Sequence, residues 1–198
     1  MERRTGWLSG SRVKNPRIGV LHSTFLVDVG DYINSVAAHD ERNAVKQKAW
    51  ILKKLRKVPD AQTATKWLVV SHITAPQHWT LVEVHWGSKQ LRFYESFAAE
   101  GRYDIEVKMR MLAVLDLCQE FFPFAVKTKE WQWIGEQRGR RQRNWYDCGP
   151  FVAADIVSLF EGDQPSAKNE KDMKAWPGGR KWYGICAHSP LRRTGLSR

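Results

Sequence analysis

The stretch QRNWYDCGPFV, residues 142–152, sets a cysteine between an aspartate and a Gly-Pro pair, at the head of an apolar run. The run continues as GPFVAADIVSLFEG. It predicts a helix with Pro150 near its first position and Val152, Ile156 and Leu159 on one face. A purely structural thiol belongs inside such a run, whereas Cys148 stands at the turn that introduces it. At a helix N-terminus the unpaired backbone N–H groups and the macrodipole favour negative charge. The thiolate is the nucleophilic form of cysteine, so location and chemistry agree. A nucleophile placed there needs a base, and the base needs a carboxylate to orient it.

Six histidines are available: His22, His39, His72, His78, His85 and His188. The segments HWTLVEVHW (78–86) and QLRFYES (90–96), joined by Gly87-Ser88-Lys89, predict a β-hairpin. His78 opens its first strand and Glu95 ends its second, so the two ends lie side by side. A carboxylate there can take one imidazole nitrogen and leave the other facing a thiol. His85 sits near the turn, at the wrong end. The remaining four lack a comparable carboxylate and read as surface or core-filling residues. Acyl transfer also needs donors for a developing oxyanion. The backbone N–H of Cys148 is one, and the side-chain amide of Gln142, six residues earlier, is the other candidate.

Outward from this constellation the elements alternate in type. Residues 18–29 read as a strand running into a turn. A basic helix is expected from Asp40 to Lys57, with Val45, Ala49, Trp50 and Leu52 as its apolar side. KWLVVSHI (66–73) reads as a short buried strand. Residues 102–122 give the clearest helix, with Val107, Met111, Val114, Leu115, Cys118 and Phe122 on one stripe. That stripe makes Cys118 a core hydrophobe. VKTKEWQWI (126–134) returns as a strand. The other tryptophans, Trp86, Trp131, Trp133 and Trp145, are expected to pack. Asp147 is placed to cap the helix behind Cys148. After Gly162 the chain turns polar and then rich in Gly, Pro and Arg. Residues 163–198 therefore read as a loosely held tail.

With 198 residues, 42% hydrophobic, and 10 tryptophans, the chain suits one globular domain with a single core. No apolar run has the length of a membrane span, and the N-terminus has no signal-peptide pattern. The three cysteines, Cys118, Cys148 and Cys186, form no C-x-x-C pair. Neither a disulfide framework nor a metal site is expected, and free thiols point to an intracellular, reducing setting. The net charge of +11 implies attraction to acidic partners, nucleic acid among them. A solvated basic face is the simpler account, including for the knot RGRRQR at 138–143.

The order HW at 78–79, YESF around Glu95, Gln142 and DCG at 147–149 resembles the SUMO-protease family of ubiquitin-like-protein-specific cysteine proteases. The adenovirus-type protease is similar in plan. The match is best over 66–161, within an expected catalytic domain of 1–162. The resemblance implies an α+β, papain-like fold: a central mixed or antiparallel sheet flanked by helices, with the nucleophile at a helix N-terminus. It implies Cys148 as nucleophile, His78 as general base, Glu95 as orienting acid and Gln142 as oxyanion donor. It also implies that Trp79 lines a narrow channel for a glycine-like tail and that Trp7, in WLSG, covers it. Members of the family usually carry Asp-Ser-Leu where this chain has Glu95-Ser96-Phe97. The longer acid still accepts a hydrogen bond, whereas the substrate assignment is left open.

Three function classes follow. The first is a peptidase or isopeptidase cleaving after a Gly-Gly-like tail of SUMO or another ubiquitin-like modifier. The second is an acyltransferase of similar construction using acetyl-CoA, and the third an inactive module that binds a modifier. For the first, no cofactor is expected. The partner is the modifier or its conjugates, with no membrane, and the chain acts as a monomer in the nucleus or cytoplasm.

Overall fold

Alternation of buried side chains along two central strands explains the architecture. The computed structural model describes residues 17–58, 61–74, 77–97, 103–122, 126–135, 142, 147–165 and 170–175. In chain order the elements are β1 (Ile18–Leu21), α1 (Thr24–Ala37), α2 (Glu41–Arg56), β2 (Lys66–Thr74), β3 (Gln77–His85) and β4 (Gln90–Tyr94). Then come α3 (Asp104–Cys118), a 3-10 turn (Thr128–Glu130), β5 (Gln132–Gly135), α4 (Cys148–Glu161) and α5 (Glu170–Ala175). The five strands form one sheet in sequence order. β1 runs parallel to β2 and β5 parallel to β4, while β2–β3 and β3–β4 are antiparallel. This is the α+β arrangement with a mixed sheet and flanking helices that the sequence leads one to expect.

Both faces of the sheet are covered, which is why KWLVVSHI is nearly continuously apolar. Trp67, Val69 and Ile73 of β2, with Val82 and Val84 of β3, join the larger core beneath α1, α2 and α3. Leu68 and Leu81 point the other way and meet Val152 and Leu159 of α4 in a smaller core. α3 buries Val107, Met111, Val114, Leu115 and Cys118 as its spacing predicts, and burial pushes the Cys118 thiol well above its ordinary range. α4 ends at Gly162, whose φ of 84° supplies the left-handed C-cap.

Several expectations are corrected. Residues 18–29 are not a strand and a turn. Only Ile18–Leu21 is extended, and a 14-residue helix follows from Thr24, burying Phe25, Leu26 and Val29 at helical spacing. α2 has the expected length but a rotated face inward, and of the four residues expected to be buried only Leu52 is. Ala44, Ile51, Leu52 and Leu55 are buried, leaving Val45 68% and Trp50 49% exposed. In the 126–134 segment the strand is confined to Gln132–Gly135, behind the 3-10 turn. The left-handed residue of the hairpin turn is Lys89, at φ 53°. Inside the region expected to be a loose tail, Glu170–Ala175 forms α5, and Met173 packs fully buried against Phe151 and Ala154. Trp7, Trp145, Cys186, His188 and the knot at 138–143, apart from Gln142, lie outside the described residues. Among the described residues no helix is long and apolar enough to cross a membrane.

Candidate active site

Hairpin register brings the first two residues together. Leu81 pairs with Tyr94, the last pair of the β3–β4 ladder. Glu95 therefore falls just beyond β4, diagonal to His78 near the start of β3. His78 Nε2 lies 3.1 Å from Glu95 Oε1, and both side chains are buried. The approach is off the line of the N–H bond, so neither Glu95 oxygen has an aligned donor. Catalytic hydrogen bonds commonly tighten only when substrate is bound, so this is a close pair awaiting alignment. With Nε2 turned to Glu95, Nδ1 is left for the sulfur.

That sulfur belongs to Cys148, the first residue of α4. Pro150 is accommodated two residues later because first-turn N–H groups have no partner within the helix. Asp147 occupies the N-cap position, but its side chain makes no capping hydrogen bond, contrary to expectation. The Cys148 thiol lies within hydrogen-bond reach of the His78 ring. Burial, the largest single influence on the imidazole, favours its neutral form. The close contacts and charges of Cys148 and Glu95 together outweigh it and raise the His78 pKa from 6.5 to about 9.

The other histidine–carboxylate contact makes a useful contrast. His85 Nε2 is 2.8 Å from Glu83 Oε1. Glu83 also accepts hydrogen bonds from Lys66 at 2.9 Å and from the Tyr94 hydroxyl at 2.8 Å. Burial, with Lys66 and Arg92 nearby, lowers the His85 pKa despite Glu83. Among the described histidines only His78 has a carboxylate on one side and a thiol on the other.

Gln142 is fully buried and joined twice to Ser96. Its backbone N–H donates to Ser96 O at 3.0 Å, and the Ser96 hydroxyl donates to its Oε1 at 2.7 Å. The second bond fixes which way the amide is turned, directing Nε2 away from Ser96. Sequence reading missed Ser96, although it directly follows Glu95. It also missed the walls of the imidazole. Tyr103 lies tilted over the His78 ring at 4.9 Å between centroids, and Phe97 stands edge-on at 6.2 Å. Trp79, on the opposite face of β3 from His78, is half-buried, 4.6 Å from the His72 ring, at the margin of the α4 core. Among the described residues no group of three metal-ligating side chains occurs.

Chemically the arrangement suits thiol-dependent acyl transfer: sulfur at a helix N-terminus, imidazole beside it, carboxylate behind, with a buried amide held in place by the residue after that carboxylate. The model of the Ulp1 protease family, C-terminal catalytic domain, matches residues 7–177. The chain belongs to that family. Among solved structures, a SUMO protease Ulp1 with its catalytic cysteine oxidised to a sulfonic acid superposes with a TM-score of 0.57. Identity is 14%, covering 80% of this chain and 64% of that one. The C-terminal Ulp1 protease domain in complex with Smt3, the yeast ortholog of SUMO, gives 0.54 at 15% identity, covering 80% and 63%. The Chaetomium thermophilum Ulp1-like SUMO protease catalytic domain gives 0.52 at 23%, covering 80% and 56%. These likenesses establish the fold, and this chain spans less than two thirds of the length of each. No curated protein matches the chain by sequence.

Proposed function

We propose that this chain is a cysteine peptidase and isopeptidase that hydrolyses the bond after a Gly-Gly-like tail of SUMO or a similar ubiquitin-like modifier. The observation that carries the reading is the contact series Glu95–His78–Cys148 at the start of α4, in a chain of this family. The solved Ulp1–Smt3 complex supports a modifier as partner.

In this reading the Cys148 sulfur attacks the carbonyl carbon of the terminal glycine. The Gln142 amide and the Cys148 N–H hold the resulting oxyanion. The His78 imidazolium gives its proton to the departing amine, and the carbonyl stays on sulfur as a thioester. Water then attacks, with neutral His78 taking its proton. Collapse expels the thiolate, which pairs again with the imidazolium, and the acid formed gives its remaining proton to solvent to leave as the carboxylate. Glu95 keeps the ring oriented throughout and favours its charged form before attack. Trp79 narrows the approach to the sulfur, so that glycine, lacking Cβ, enters where other residues do not. Trp7 would cover that approach from a segment outside the described residues. The setting proposed is the nucleus or cytoplasm, with residues 1–162 carrying the catalytic constellation.

The test is a panel of SUMO, NEDD8-like and ubiquitin probes ending in Gly-Gly-propargylamide, incubated with the full chain. The expected product is one adduct on Cys148, absent in Cys148→Ala, with matching hydrolysis of the modifier–aminomethylcoumarin. Acetyl transfer from acetyl-CoA without any adduct would replace the peptidase by an acyltransferase. Modifier binding with neither reaction would leave a binding module.

A further inference from the structure

α2 carries Arg42, Lys46, Lys48, Lys53, Lys54 and Arg56, followed by Lys57, and no acidic residue after Glu41. Two of these cations are spent inside the fold: Lys48 pairs with Glu120 and Lys54 with Asp28. Arg42, Lys46, Lys53, Arg56 and Lys57 are exposed and make no ion pair among the described residues. At about 100° per residue, Arg42, Lys46, Trp50, Lys53 and Lys57 share an arc of roughly 80° and span about 22 Å of helix. Trp50 lies in the middle of that stripe, 49% exposed, with Lys53 Nζ 5.7 Å and Lys54 Nζ 5.4 Å from its ring centre. Trp67, Trp79, Trp86, Trp131 and Trp133 all pack into or against a core, and Trp50 alone among the described tryptophans does not. Folding therefore gives no reason for an indole at this position.

We propose that the outward face of α2 is a binding surface for single-stranded nucleic acid. Four unpaired cations in a row, with Arg56 just beside them, neutralise successive phosphates, and the exposed indole is a platform for one base. A duplex keeps its base faces stacked and cannot use that platform. A membrane is disfavoured for a different reason. The apolar stripe an interfacial helix would insert, Ile51, Leu52 and Leu55, is already buried in the larger core. The surface lies across the sheet from α4, which packs on β3 in the smaller core, so nucleic acid bound there leaves Cys148 accessible. Such a surface holds the chain on a single strand while the thiol works independently.

Fluorescence anisotropy of a labelled oligothymidylate titrated with the full chain, over about 50 to 200 mM salt, tests this. Replacing Arg42, Lys46, Lys53, Arg56 and Lys57 together by Gln should flatten the log Kd–log salt slope by about 3.5, at about 0.7 per cation. Trp50→Ala should weaken binding roughly tenfold without changing the slope, and Trp50→Phe should restore most of it. Both variants should melt like the parent and label normally with the Gly-Gly probe, which separates this surface from the catalytic reading. Absence of oligonucleotide binding at about 50 mM salt overturns the proposal. So does binding abolished by neutralising Arg138, Arg140, Arg141 and Arg143 but unchanged by the α2 substitutions. Duplex bound as tightly as single strand with Trp50→Ala neutral overturns it as well, as does α2-dependent binding to phosphatidylserine vesicles in place of the oligonucleotide.

Discussion

Replacing Glu95 by Gln removes one charge and almost no volume from a buried pair. At 3.1 Å and an effective dielectric of about 20, carboxylate and imidazolium attract by about 5 kcal/mol. Holding the His78 pKa at about 9 instead of 6.5 requires a net bias of about 3 kcal/mol. Burial works against that bias, and Cys148 and Glu95 supply it together. Without Glu95, burial is opposed by Cys148 alone, and the ring should lose its proton at least about two pH units lower, at or below about pH 7 rather than near pH 9. The sign is definite: a raised histidine pKa keeps the ring protonated up to about pH 9, so activity that needs imidazolium fails on the alkaline side. The alkaline limb of kcat/KM should therefore sit near 9 in the parent and at or below about 7 in Glu95→Gln. At pH 8 the lost charge costs at least about tenfold and the lost ring orientation at least as much, together about 10² to 10³. Glu95→Asp keeps the charge at roughly 4.6 Å, where the attraction is still about 4 kcal/mol. Its limb should move by less than about one pH unit and its rate by about tenfold. The assay is the pH profile of modifier–aminomethylcoumarin hydrolysis, read as the behaviour of the coupled Cys148–His78 pair. An alkaline limb near 9 that survives Glu95→Gln would refute this account of what charges the ring.

Cys148→Ala should lower turnover by at least about 10³, whereas Cys118→Ala should keep the chemistry and lose only about 1–2 kcal/mol of stability from the core. Iodoacetamide at pH 6 should alkylate Cys148 first, and equal labelling of all three thiols would contradict the assignment. Ser96→Ala should lower kcat about tenfold with KM little changed, because the Gln142 amide is then free to turn, against about 10² for Gln142→Ala. A full Ser96→Ala effect persisting in the Gln142→Ala background would show that the hydroxyl acts elsewhere. Trp79→Ala should relax the preference for Gly-Gly over Ala-Ala tails and lower the rate. Comparable kcat/KM for both tails in the parent would sink the channel reading.

The hairpin was readable because a short turn fixes register. Once residues 86–89 turn, every pair from His85–Gln90 to Leu81–Tyr94 follows, and the ends of the two strands must meet. α3 was readable for a similar reason, since six apolar residues repeat at helical spacing with nothing to compete. α2 was half readable. Its inward positions 44, 51, 52 and 55 include Lys48 along the same stripe, and that cation interrupts the apolar signal. Its outward positions carry Val45, Ala49 and Trp50, which imitate a buried side. The Lys48–Glu120 pair that makes a cation tolerable there involves α2 and a residue far along the chain. α1 was missed because two short apolar runs, 18–21 and 25–29, adjoin across His22-Ser23, and short runs do not separate strand from helix.

The catalytic constellation divides along the same line. Cys148, His78 and Glu95 each stand at the end of an element, and local pattern finds element ends. Ser96 and Gln142 meet across 46 residues, from segments with no pairing rule between them. Ser96 nonetheless has a logic that the strand end supplies. Where a strand runs out, successive side chains still leave towards different sides before the chain bends, as it does at Ser96. Glu95 accordingly goes to His78, and Ser96, the next residue, goes to Gln142. Two adjacent positions past β4 thus set the proposed base and the proposed oxyanion donor at once. A one-residue slip of β4 against β3 would exchange those directions, sending the hydroxyl to the imidazole and the carboxylate to the amide. Both partners would then be wrong together. The register of this one hairpin, held by Val82–Phe93 and Val84–Leu91 in the larger core, is therefore what the geometry of the whole site depends on.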